Sequence, residues 1–116
     1  MQKVYKGEEE NRIREELAKR NHLRHMSDIK KVVDMPEGRR YIWSVLSRCG
    51  VMQASMRASP YDTAFMEGRR DIGLQLMNDL MEAVPEAYDK MRREDTSNAK
   101  VDEQLVRQRL SEYEFE

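Results

Sequence analysis

Leu23, Met26, Ile29, Val32 and Val33 recur at spacings of three and four, which predicts an amphipathic helix over residues 22–35. The segment before it, EEENRIREELAKRN from Glu8 to Asn21, is dense in good helix formers and carries acids first and bases later, matching the helix dipole. Its apolar content is only Ile13, Leu17 and Ala18, so it reads as a mostly solvated helix. Ser27 offers an N-cap at which the helix would restart. Pro36 then punctuates the chain, because it lacks an amide donor and biases Met35 away from helical angles. Asp34 with Glu37 three residues on forms a start resembling a capping box. Beyond it, Gly38, Ile42, Val45, Leu46 and Cys49 share one helical face, and Gly50 stands where a C-terminal cap belongs.

Val51 to Ala58 has no firm period and reads as a connection. Ser59-Pro60 supplies an N-cap and a first-turn proline, with Asp62 supporting the first turn of a helix that runs to about Ala83. Phe65, Gly68, Ile72, Leu76 and Leu80 mark one face of it, and Met77, Met81 and Val84 widen that face. Pro85 opens a further helical stretch with Ala87, Tyr88 and Met91. DTSNAK, from Asp95 to Lys100, is a linker by composition. A short helix is expected in the tail, carrying Val101, Leu105, Val106 and Leu110 before the acidic, aromatic end SEYEFE. No stretch alternates as a strand would. The expected fold is all-α, a small bundle of four to five helices with extended polar terminal segments. It divides into an N-terminal arm (1–32), a helical core (33–94) and a linker with an acidic-aromatic tail (95–116).

Within this pattern Glu-Gly-Arg-Arg occurs twice, at Glu37–Arg40 and Glu67–Arg70. Each glycine precedes an isoleucine by four residues, Ile42 and Ile72, which puts both glycines on the apolar stripe. A position without a side chain lets another helix approach closely, offsetting the roughly 1 kcal/mol propensity cost of glycine. The expected packing set is therefore Gly38, Ile42, Trp43, Leu46, Phe65, Gly68, Ile72 and Leu76. On this reading Gly68→Leu disrupts packing, and Glu37–Arg40 and Glu67–Arg70 are i,i+3 partners. The competing reading is an anion or partner-carboxylate site in which Arg39, Arg40, Arg69 and Arg70 converge.

Composition narrows the functional classes. Charged residues make up 37% of the 116-residue chain, against roughly 25% in an ordinary domain. Hydrophobic residues make up 39%, so the core is thin and a homo-oligomer or a partner surface is expected. Lys and Arg (21) nearly cancel Asp and Glu (22), which argues against a generic nucleic-acid coat. A single cysteine, Cys49, excludes an intrachain disulfide and suits a reducing compartment. No apolar run approaches the roughly 20 residues of a membrane span, and the start of the chain lacks a signal-peptide core.

Little here assembles into chemistry. His22 and His25 stand three apart, but no cysteine lies near them and the HExxH pattern is missing, so a solvated pair is expected over a metal site. Cys49 lies on an apolar face as an inert thiol, and Glu8 to Glu10 suit a first-turn dipole role. No catalytic residues, metal or cofactor are expected. Of nine methionines, Met77 and Met81 read as core filler, while Met52 and Met56 suit an interface. Leu105, Leu110, Tyr113 and Phe115 are the expected partner contacts in the tail.

Two ordered blocks carry a family resemblance. Pro36, Glu37, Gly38, Arg39, Arg40, Trp43, Leu46, Cys49, Gly50 and Val51 form the first. Thr63, Ala64, Phe65, Glu67, Gly68, Arg69, Arg70, Gly73 and Leu74 form the second. Together, across about Val33 to Ala83, they resemble a family of small domains from tailed phages, first defined by an open reading frame of a Bordetella phage. Met52 and Met56 stand where the family pattern has aromatics, and Met66 where it has a small polar residue.

The resemblance implies a phage protein encoded among head and tail structural genes, with no catalytic residues to transfer. The expected function is that of a non-enzymatic, multicopy structural protein of a podovirus-like virion. Its partners would be portal, tail or internal ejected proteins, and it would pass through the host cytoplasm during assembly. The alternatives are an assembly or regulatory module absent from the mature particle, and a less favoured DNA-contacting protein using the four arginines.

Overall fold

A computed structural model describes residues 6–51 and 59–114. Four helices account for nearly all of them: α1 (Lys6–Asp34), α2 (Pro36–Arg48), α3 (Pro60–Ala83) and α4 (Ala87–Glu114). No strand occurs among the described residues, and the all-α class holds.

α1 is a single helix of 29 residues, with no restart at Ser27. No glycine or proline interrupts the chain from Glu8 to Met35, so nothing in the backbone forces a stop. Asp34 is the last residue of α1 rather than the cap of α2. The N-cap of α2 is Met35, extended at φ −94° and ψ 132° as a residue before proline prefers, and it makes no side-chain cap bond. One residue thus separates two helices. Gly50 closes α2 with φ 67°, the left-handed conformation a C-terminal cap requires, and its amide donates to the Ser47 carbonyl at 3.1 Å. Ser59 caps α3 by accepting from the Tyr61 amide at 3.2 Å, with Pro60 in the first turn.

The expected linker at DTSNAK is helix, and α4 runs unbroken through it. Thr, Ser and Asn each cost only a few tenths of a kcal/mol against alanine, and no glycine or proline follows Pro85. The Thr96 hydroxyl also donates back to the Arg92 carbonyl at 3.1 Å, satisfying itself within the helix.

Met26, Ile29 and Val33 of α1, Leu46 of α2, Val51, Leu80 and Ala83 of α3, and Ala87 and Met91 of α4 form one buried cluster. Its membership begins at Met26, inside the segment expected as an arm. Ile42, Trp43, Cys49, Leu74, Leu76, Met77 and Val84 pack against it, half-buried. Trp43 and Tyr88 tilt against each other with ring centroids 5.6 Å apart. This core occupies the middle of an elongated molecule. Lys6 to His25 and Asp95 to Tyr113 are exposed throughout, the extents are 89 × 40 × 20 Å, and the radius of gyration is 22.0 Å. A compact chain of this length would have a radius of roughly 13 Å.

Candidate functional site

One arginine motif occupies the start of α2 and the other the middle of α3, and in each the first arginine lies on the line of the core. Arg39 precedes buried Leu46 by seven residues, and Arg69 precedes buried Gly73 by four. Arg39 is itself buried, 9% exposed. Its Nη1 donates to the Val33 carbonyl at 2.8 Å and the Asp34 carbonyl at 3.3 Å, and its Nε donates to Glu94 Oε1 at 2.7 Å. The guanidinium therefore satisfies carbonyls that the end of α1 leaves open, and Glu94 of α4 balances its charge.

Arg69 does the corresponding thing one helix later. Its Nη2 donates to the carbonyl of Arg48, the last residue of α2. Its Nη1 reaches Met66 Sδ at 3.2 Å, and its guanidinium carbon lies 5.9 Å from the Phe65 ring centroid.

Arg39 and Arg69 thus share no partner and make two separate clamps, which weighs against the competing reading of four converging arginines. Arg40 is exposed and lines a groove of about 660 Å³ between α2 and α4 with Trp43, Ser44, Asp95, Asn98 and Asp102. Arg70 is half-buried. The expected pairs Glu37–Arg40 and Glu67–Arg70 do not form; among the described residues these motifs make the ion pair Arg39–Glu94.

The glycines divide as well. A Cβ on Gly38 would collide with the Val32 carbonyl, so the one-residue turn between α1 and α2 needs glycine there. Gly68 faces open space, with nothing within 4 Å of a Cβ built on it, and Phe65 and Ile72 are 66% and 64% exposed. These three leave the expected intrachain packing set. Each helical residue turns the chain by about 100°, which puts Gly68 roughly a third of a turn away from the face of buried Leu80. The close approach falls instead at Gly73, where a Cβ would stand 2.6 Å from Cys49 Cβ. Met81, expected as filler, is 51% exposed. Of the rest of the set, Leu46 is buried, and Ile42, Trp43 and Leu76 lie half-buried against the core.

His22 and His25 turn to different carboxylates of α3. His22 Nε2 lies 2.8 Å from Glu82 Oε1, and His25 Nε2 lies 2.9 Å from Asp79 Oδ2. The matched spacing of three in both helices is the sequence signal for this double link, and both histidines stay exposed within it. Among the described residues no group of three His, Cys, Asp or Glu side chains is placed to hold a metal. On α4 a hydrogen bond from Arg92 holds the exposed Asp89 carboxyl below its usual range. Met52, Met56 and Phe115, expected as partner contacts, lie outside the described residues. Leu105, Leu110 and Tyr113 are 59%, 59% and 66% exposed on α4. No helix among the described residues is long and apolar enough to cross a membrane.

The family described as Bbp19-like phage protein matches residues 29–93, more than half of the chain. The match takes in α2, α3 and the core-facing ends of α1 and α4, and it leaves the two exposed arms outside. No curated protein and no solved structure matches.

Proposed function

This chain belongs to the Bbp19-like phage protein family, and on that premise we propose that it is a non-enzymatic structural protein of the virion. It is present in multiple copies and associated with the head–tail assembly or with the internal ejected proteins. The observation that supports this reading is the distribution of burial. A small core holds four helix segments together, while α1 and α4 extend from it as exposed helices carrying Ile13, Leu17, Val101, Leu105 and Leu110 uncovered. Helices that keep apolar residues in water along their length suit surfaces that neighbouring chains cover in an assembly. The fates of Arg39 and Arg69 weigh against the DNA-contacting alternative, since both guanidiniums are committed to protein carbonyls.

Mass spectrometry of purified particles tests the proposal. The chain is expected at a fixed ratio to the other structural proteins. Its absence from mature particles, with presence in infected-cell lysate, would establish the assembly-module reading instead.

A further inference from the structure

The outer part of α4 from Val101 to Leu110 reads VDEQLVRQRL. Turned end to end about the point between Leu105 and Val106, this segment complements itself. Val101 exchanges with Leu110 and Leu105 with Val106, apolar onto apolar, while Asp102 exchanges with Arg109, acid onto base. The four apolar side chains are all more than half exposed. Asp102 and Arg109 stand seven residues apart, so they share one line along the helix, and the apolar residues flank that line on both sides. Neither takes part in an ion pair with a described residue, whereas their neighbours Glu103 and Arg107 are already joined to each other at 2.8 Å.

We infer that this face of α4 pairs with the same face of a second copy of the chain, antiparallel, across a twofold axis between Leu105 and Val106. Such an axis uses every contact twice: Asp102 of each copy meets Arg109 of the other, between two sets of covered apolar side chains. A parallel pairing would instead set Asp102 against Asp102 and Arg109 against Arg109, so the charges select the antiparallel arrangement. A partner of one charge sign would match only half of the face. The pairing also runs on into the body of the protein, because it places Tyr113 of the second copy opposite Asn98. The last turn of that copy then lies along the groove lined by Arg40, Asn98 and Asp102. This goes beyond the virion reading, since it states how two copies meet wherever they work.

Sedimentation velocity on the full chain, across a range of concentration and salt, tests it. The expected result is a dimer of twice the chain mass that weakens as salt rises. Asp102→Arg and Arg109→Asp each oppose like charges and are expected to raise the dimer dissociation constant at least about tenfold. The double exchange Asp102→Arg with Arg109→Asp restores the dimer. Circular dichroism should show unchanged helicity in all three variants, because both positions are exposed. A wild-type chain that stays monomeric, a trimer or larger species, single variants that still dimerise, or a double variant that does not recover would each overturn the pairing. A monomer that binds a different virion protein through α4 would overturn it as well.

Discussion

Arg39 and Arg69, thirty residues apart in the chain, hold the same relationship to what precedes them: each donates to a main-chain carbonyl at the end of the previous helix. The repeated motif is therefore a clasp between consecutive helices, α2 onto α1 and α3 onto α2. The two clasps differ in depth. Arg39 is buried and charge-balanced by Glu94, while the bond from Arg69 to Arg48 lies at the surface.

That difference sets the first expectation. Arg39→Ala leaves Glu94 without its partner and two carbonyls unsatisfied, and is expected to cost about 3 kcal/mol in urea unfolding. Arg69→Ala removes the exposed bond to Arg48 with the weaker contacts to Met66 and Phe65, and is expected to cost about 1 kcal/mol. Equal losses, or a larger one at Arg69, would contradict the assignment of Arg39 as the deeper clasp.

The two glycines of α3 should respond in opposite directions. Gly73→Ala forces a Cβ against Cys49 and Val51 and is expected to lower stability by about 1–3 kcal/mol. Gly68→Ala adds a methyl group in open space and is expected to raise stability by up to about 1 kcal/mol through helix propensity. Thermal melts of the two variants side by side decide the matter. Loss of stability at Gly68 would reinstate the close contact there that the sequence pattern suggests.

Ser59→Ala removes the side-chain acceptor that meets the Tyr61 amide. The start of α3 then loses its cap, at an expected cost of about 1 kcal/mol. Ser59→Asp should keep most of the stability, and Trp43, the single tryptophan, gives a fluorescence readout beside Tyr88.

Because His22 and His25 are held by separate acids, stoichiometric zinc should leave the melting temperature unchanged. Replacing either histidine by alanine is expected to cost no more than about 1 kcal/mol, since both links are half-exposed. A zinc-dependent rise in the melting temperature would show that the histidines leave their carboxylates for a metal.

Where backbone chemistry punctuates the chain, the sequence is readable almost to the residue. Pro36, Gly50 and Ser59-Pro60 are boundaries because of a missing donor, a left-handed angle and a side-chain acceptor, all local properties. The polar run from Asp95 to Lys100 has the composition of a linker but holds no glycine or proline to stop a helix, and α4 passes through it.

Faces were harder to read than boundaries. The stripe through Phe65, Gly68 and Ile72 is apolar, but the core reaches α3 only from Gly73 onward, and no periodicity states how far along a helix its neighbours extend. Arg39 shows the same limit from the polar side. Its position beside the apolar face was visible, but its partner Glu94 lies 55 residues away and depends on where α4 packs.

Met35, the one extended residue between α1 and α2, has a mechanical consequence. The exposed part of α1, residues 6–25, is a stiff rod of roughly 30 Å. Its direction is fixed at its root by Met26, Ile29 and Val33 in the core, by the links of His22 and His25 to α3, and by Arg39 gripping the carbonyls of Val33 and Asp34. Tilting such a rod by about 10° at its root sweeps its tip through about 5 Å. Whatever seats the far end of α1 would therefore feel any slackening of that combined hold as a displacement larger than a side chain can absorb. The small core acts as the fulcrum of a lever, and the contacts at its root together set how far that lever swings.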